Sequence, residues 1–271
     1  MKTPSEVLDY YNRFPEESRL TAGPSLLEFE RTKDILSRTL PAPPAKVVDV
    51  GGAAGVYSAW LSGLGYEVHL VDASARLVEE ARRRNATLER PIASLSVADA
   101  RALPQSDGSA DVVLIMGPLY HLPEAADRAA AVREGVRVLK SSGVLAVAAI
   151  SRFASALDGL SRGLAVDPAF IRMRDGDLRN GQHRNQTDRI DYFTTAYFHL
   201  PEELRSELEA SGIKDVNVFG VEGPAWILDD FERRWATAAL REDILHVARV
   251  LELERSIVGA SAHLLGVGRT P

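Results

Sequence analysis

From Lys46 to Ile150 the chain alternates short apolar runs with stretches of helical period, and that rhythm restricts its fold more than any other feature. "KVVDV", "YEVHLVD", "ASLSVAD", "DVVLIMG" and "GVLAVAAI" read as strands. "VYSAWLSGLG", "SARLVEEARRRNA" and "PEAADRAAAVREGVRVLK" read as the helices between them. Strands separated by helices build crossover units, and these build a mostly parallel sheet with helices on both faces. The fully apolar fourth run fits such a sheet, because a strand buried on both faces need not alternate. The predicted fold class is α/β, Rossmann-like and doubly wound.

The remainder is organised around that core. The stiff linker "LPAPPAK" separates an N-terminal helical segment, 1–45, from a domain spanning 46–271. The rhythm resumes late, with the helix "PEELRSELEASG" and the strands "IKDVNVFG" and "AHLLGVG". Two stretches, 151–199 and 221–260, fall outside it. Both follow strands at the carboxyl edge, where doubly wound sheets bind ligands, so both are expected to be lid insertions.

Composition excludes several classes of function. The net charge is −6, which gives no basic face for a phosphate backbone, so no nucleic-acid partner is expected. The absence of cysteine removes disulfides, thiolate–metal sites and thiol nucleophiles. No apolar run reaches the length of a signal peptide or a membrane span, so no membrane partner and a cytoplasmic location are expected. A homodimer is left open.

The loop "DVGGAAG" is the next constraint. A dinucleotide fingerprint would place glycines at 51, 53 and 56, where the chain has Gly51, Ala53 and Val56. A P-loop is excluded, because the loop has neither a lysine nor a Ser/Thr pair. What remains is Asp49 followed by Gly51, Gly52 and Gly55, an acidic loop suited to a cationic or zwitterionic ligand. Gly52 reads either as a ligand contact or as a turn glycine. Asp72 ends the second strand, where a carboxylate accepts hydrogen bonds from ribose hydroxyls. In "ADARAL", Asp99 can accept from an exocyclic amine and the Ala100 backbone can face the ring edge. Ribose and adenine without a phosphate site point to S-adenosylmethionine.

"DVGGAAG", "VDAS", "ADARALP" and "DVVLIMGPLYHL", in this order and spacing, resemble the class I S-adenosylmethionine-dependent methyltransferases. "LLEFERTKDIL", "ISRFASALDGL" and "FTTAYFHL" resemble a bacterial small-molecule branch of that family. Ala53 departs from its usual glycine. The resemblance implies a seven-stranded sheet with the last strand antiparallel. It also implies cofactor contacts at Gly51, Gly55, Asp72, Asp99, Ala100, Met116 and Gly117. Gly52, Ala53, Ala73 and Arg101 are counted with them. In related enzymes an N-terminal helix closes over the cofactor, a role that Tyr10 and Tyr11 match. Tyr11 is assigned to the cofactor and Tyr10 to the acceptor. Arg31 in "EFERT" reads either as a partner of the methionine carboxylate or as half of a surface salt bridge.

The function expected is methyl transfer to an oxygen or nitrogen of a small molecule. The competing readings are a non-catalytic S-adenosylmethionine-binding protein and a nicotinamide oxidoreductase, which the glycine spacing disfavours. A hydroxyl acceptor needs a base, and the candidates in order are His121, His199 and His183. His69, His246 and His263 are expected to be structural. Tyr120, Arg152, Tyr197 and Trp226 are candidate walls of the acceptor site. No metal is expected.

Overall fold

The computed structural model describes residues 5–13, 20 and 23–271. Its sheet is built from β1 (Lys46–Val50), β2 (Glu67–Asp72), β3 (Ser94–Val97), β4 (Ala110–Ile115) and β5 (Leu139–Ser151), ordered β3-β2-β1-β4-β5 and parallel throughout. Beyond β5 the row continues with β9 (His263–Arg269) and β8 (Lys214–Gly220). β9 runs antiparallel to both β5 and β8. These seven strands match the expected core. A short hairpin of β6 (Gln182–His183) and β7 (Ala196–His199) is added to it. β7 pairs with Ile150 and Ser151, beside the tip of β5, where the β4 pairing, which ends at Val147, no longer reaches.

Neighbouring residues of each inner strand serve opposite faces. Val48, Val113 and Leu145 join α5 (Ala125–Val138) and α8 (Pro201–Ala210) in one core. Val47, Val112 and Val144 join α2 (Ser25–Thr39), α3 (Val56–Leu64) and α4 (Ala75–Asn85) in the other. The unbroken apolar strands of the sequence follow from this two-sided burial.

The N-terminal segment is two helices rather than one, α1 (Ser5–Arg13) and α2. Between 151 and 199 lie α6 (Ala154–Ser161), α7 (Pro168–Asn180) and the β6–β7 hairpin. Between 221 and 260 lie α9 (Phe231–Ala236) and α10 (Ala238–Leu251). Phe231 and Ile244 bury themselves with Leu27 of α2, so these helices brace α2 on one flank. A buried charge cluster completes the brace. Arg31 contacts Asp34 and Glu252, its Nε donates to Val221 O (3.3 Å), and Arg38 donates to Glu252 (2.7 and 2.9 Å).

Gly266 of β9 makes room for α8. A Cβ there would lie 2.7 Å from Leu208 Cδ1 and 3.3 Å from Leu204 Cδ2. Gly266→Val should therefore destabilise the protein by about 1–3 kcal/mol through overpacking. Adding Leu208→Ala should cost less than the sum of the two single changes, because it empties the space the valine needs. Urea unfolding of the four proteins of this cycle measures the coupling; simple additivity would contradict the packing described.

Candidate functional site

A cavity opens at the carboxyl ends of β1, β2 and β4, with α1 above it. Its walls include Gly51, Gly52, Ala53, Asp72, Ala73, Asp99, Ala100, Met116, Gly117, Tyr120 and His121, with Val7, Tyr11 and Leu20 from the N-terminal segment. Most of the expected cofactor residues thus converge.

The loop after β1 explains its own composition. A Cβ on Gly51, at φ +75°, would lie 2.3 Å from Pro118 Cδ, so only glycine lets this loop pass under the end of β4. A Cβ on Gly52 would lie 2.9 Å from Asp49 Oδ2. Ala53 holds φ +47°, a left-handed conformation costly for a residue with a side chain. Its amide donates to Asp72 Oδ2 (3.0 Å), while Ser74 N donates to Asp72 Oδ1 (2.8 Å). Asp72 is thereby fixed at the cavity wall, and burial pushes its carboxyl up in spite of the two amides. Gly55 departs from expectation. It does not line the cavity; its Cβ would face Ala81 and Leu70, and its φ of +79° is what requires glycine.

Asp49 lies beneath the loop, fully buried. Oδ2 accepts from Ser58 Oγ (2.6 Å), and Oδ1 has no hydrogen-bond partner among the described residues. Burial raises its carboxyl to about 6. A positively charged ligand above the loop would compensate this acid. The orphaned oxygen, the glycine cradle and the wall carboxylate of Asp72 fit a zwitterionic, ribose-bearing cofactor.

Two expected cofactor residues act elsewhere. Arg101 does not line the cavity. Its guanidinium grips Asp99 (2.7 and 2.8 Å) and reaches Asp127 (3.0 Å), so it orients Asp99 from behind. Burial works to raise the Asp99 carboxyl, but Arg101 holds it below the usual range. Arg31 is spent in the α2–α10 brace and reaches no part of the cavity. It is a buried structural cation, neither a carboxylate ligand nor half of a surface pair.

The histidines separate clearly. His121 lines the cofactor cavity, and its Nε2 lies 2.8 Å from the Tyr11 hydroxyl. Nδ1 lies 3.4 Å from Thr195 O, so Nδ1 carries the proton and Tyr11 donates to Nε2. Burial pushes this ring down to about 4. His199 is fully buried beside Glu207 (3.3 Å) and touches neither cavity. His183 has both nitrogens engaged, with Asp177 Oδ2 and Tyr192 O (2.9 Å each).

A second cavity adjoins the first, and Tyr11 and Tyr120 belong to the walls of both. Tyr10, Phe193, Phe198 and Trp226 line it with His183 and His263. Trp226 is held by its Nε1 donating to Ala260 O (2.9 Å). Arg152 and Tyr197, expected here, lie elsewhere. Arg152 bonds Glu203 (2.6 Å) and Phe198 O (2.7 Å), and the Tyr197 ring lies under the Arg128 guanidinium (3.7 Å). His263, expected to be structural, begins an antiparallel strand, which puts it on the edge of the sheet where the cavities open.

Part of the chain is similar to known proteins. Residues 48–147 match the family described as "Methyltransferase domain". The chain is 34% identical over 145 residues to "Methyltransferase GfsG" of Streptomyces halstedii, covering 52% of this chain and 50% of that one. It is 32% identical over 121 residues to "Ubiquinone biosynthesis O-methyltransferase" of Xanthomonas oryzae pv. oryzae, covering 44% and 48%. The chain therefore spans about half the length of the curated relatives it matches. A SAM-dependent methyltransferase structure from Thermotoga maritima superposes with a TM-score of 0.59 at 19% identity, covering 98% of this chain and 99% of that one. That likeness carries the fold.

The buried His121 gives a test by pH. Its ring titrates at about 4 in the folded protein and near 6.5 when exposed. The folded state prefers it neutral, so this contribution is complete above about pH 6.5 and is lost as pH falls through 4. Relative to His121→Gln, the wild type should lose about 3 kcal/mol over that window. Asp49 acts with the opposite sign, losing stability as pH rises through 6, but both proteins keep it and it cancels. Urea midpoints at pH 7 and 4.5 check this, and a difference between the two proteins that does not change with pH would contradict it.

Proposed function

We propose that this chain, a class I methyltransferase by fold and by the family match of residues 48–147, transfers the methyl group of S-adenosylmethionine to an oxygen or nitrogen of a small molecule. The observation that carries the reading is the pair of adjoining cavities. One has acids and a glycine loop suited to the cofactor. The other is walled largely by aromatic rings and meets the first at Tyr11 and Tyr120. A protein that only bound the cofactor would have no use for the second.

The bound cofactor supplies a methyl group already activated by a positively charged sulfur. Residues of this chain do the rest. Asp72 would accept from the ribose hydroxyls with the lone pairs its two amides leave, and Asp99, oriented by Arg101, would accept from the adenine amine. Ala53, Ala73 and Ala100 wall this region, and Met116, Gly117 and Pro118 form the floor beneath the reacting end. Asp49 under Gly52 supplies the negative potential. His121 positions Tyr11, which closes the cavity from α1, and closure excludes water from the transfer. His121 is thus a positioning residue, since a ring titrating at about 4 is a weak base at neutral pH. Alignment in a dry site supplies most of the acceleration such a reaction needs. No described helix is long and apolar enough to cross a membrane.

Calorimetric titration with S-adenosylhomocysteine, NAD and NADP tests the cofactor. S-Adenosylhomocysteine should bind, and Asp72→Ala should weaken it by about 1–3 kcal/mol, the scale for charged hydrogen bonds to a ligand. Binding of the nicotinamide cofactors alone would refute the reading, and unchanged affinity in the variant would move the ribose contact elsewhere. Release of S-adenosylhomocysteine during incubation with small phenols, acids and amines separates an enzyme from a binder.

A further inference from the structure

We propose that Phe193 is the specificity-determining residue of the second cavity: its ring, held by a strained backbone, selects a flat aromatic acceptor and seats it beside the cofactor cavity. The inference rests on the methyltransferase reading and names the acceptor class and the side chain that chooses it.

Phe193 adopts φ +67° and ψ −171°. That region of backbone space is nearly reserved for glycine, because a Cβ there crowds the flanking peptide groups. Among the described residues four other than glycine have positive φ, and Phe193 carries the largest side chain of the four. The conformation is imposed from both sides. Phe193 N donates to Ile190 O (3.2 Å), which closes the turn Ile190–Tyr192. Its carbonyl accepts from Asn185 Nδ2 (2.7 Å), and Ala196 soon after enters the β6–β7 hairpin opposite His183. The chain therefore has little length in which to change direction. The Phe193 side chain is only half-buried, so burial alone is a weak reason to keep it where glycine would sit without strain. Strain of this kind collects where a side chain has to meet a ligand.

The surroundings of the ring show which ligand. Phe193 lines the second cavity and meets Tyr10 of α1 edge to face, with centroids 5.4 Å apart. His121 lies at 5.6 Å and Tyr120 at 6.4 Å. His121 belongs to the cofactor cavity and Tyr120 to both. A molecule packed on Phe193 is thus placed next to the passage between the cavities, where a methyl group has to cross. The second cavity has a volume of about 350 Å³, at the lower end for small-molecule sites, which suits a compact ring system. Tyr10, Tyr120, Phe198 and Trp226 complete an aromatic lining, and aromatic pairs gain more than their buried area alone supplies. Asp158 and Asp191 of the same lining share Arg162 (3.0 and 3.1 Å), so they have less to offer an ammonium group.

The test compares 2-naphthol with decahydro-2-naphthol, which has the same carbon skeleton and hydroxyl but is saturated and puckered. Both are titrated calorimetrically into the protein with and without S-adenosylhomocysteine. The wild type should bind 2-naphthol about tenfold more tightly than its saturated counterpart. Phe193→Leu keeps apolar bulk without the ring. It should shrink that preference by about three- to tenfold, while S-adenosylhomocysteine affinity stays within about twofold. Phe193→Tyr should retain the preference. Urea unfolding reads the strain separately. Glycine ordinarily lowers stability relative to alanine, but here Phe193→Gly should have the higher urea midpoint of the two, because it relieves the left-handed backbone. Failure of 2-naphthol to bind, equal affinity for the two probes, an unchanged preference in Phe193→Leu, or a higher midpoint for Phe193→Ala than for Phe193→Gly would each overturn the proposal. S-Adenosylhomocysteine binding would leave the methyltransferase reading standing in all these cases. Its absence would remove that reading, and the two probes would still decide what Phe193 selects.

Discussion

The site depends on the passage of the β1–α3 loop beneath the end of β4. Gly51 has Pro118 where a side chain would begin, so the two strand ends are as close as backbone can bring them. That approach sets the cavity floor and puts Met116 and Gly117 beside the loop. Asp72 then secures the loop from the other side by accepting the Ala53 amide. The cost is visible in the left-handed backbone of Ala53, a strain of the kind that persists where surrounding structure over-determines it. One carboxylate therefore both builds the loop and faces the cavity, and each of its oxygens keeps a second lone pair.

The second constraint is the reversal of the last strand. In a wholly parallel sheet every strand would start at the edge away from the ligand. β9 runs the other way and starts at it. The residues that begin β9 and those that follow β8 consequently meet at the ligand edge, which is how Glu222, Ser261 and His263 come together from separate segments. The braces elsewhere have a different purpose. Arg31 and Arg38 tie α2 to Glu252 at the end of α10, and Arg128 and Arg152 clamp Tyr197 and α8. These cations, all buried except Arg38, are occupied by acids, and none lines the cavities.

What could be read from sequence follows from the range of the interactions involved. The parallel core was legible because two-sided burial writes itself as apolar runs, and the glycine loop because close approach admits few residue types. Asp72, Asp99 and His121 could be placed at the cavity because it opens at the strand ends that they follow. Arg31 was not. Its partner Glu252 is far away in sequence, and an arginine on a helix looks the same whether it meets a ligand or a buried acid. Gly55 misled in a related way, since a glycine needed for its φ and one needed for a ligand give the same letter. Of the 221–260 insertion, Trp226 reaches the second cavity, and only packing could tell that the helices α9 and α10 lie against α2.

Two of the buried titratable groups at the first cavity, His121 and Asp49, bias its electrostatics in one direction. Burial drives His121 toward the neutral ring, and so removes a positive charge that would repel a sulfonium. Burial also raises the carboxyl of Asp49, which keeps an uncompensated negative charge from forming fully until something positive lies above Gly52. Among the described residues that line the cavity there is no lysine or arginine, and a cation entering it would favour the ionised form of Asp49 beneath. A neutral ligand of the same shape gains less from this response. The preference therefore comes from how strongly two interior groups resist ionisation, and no surface charge has to be exposed to achieve it.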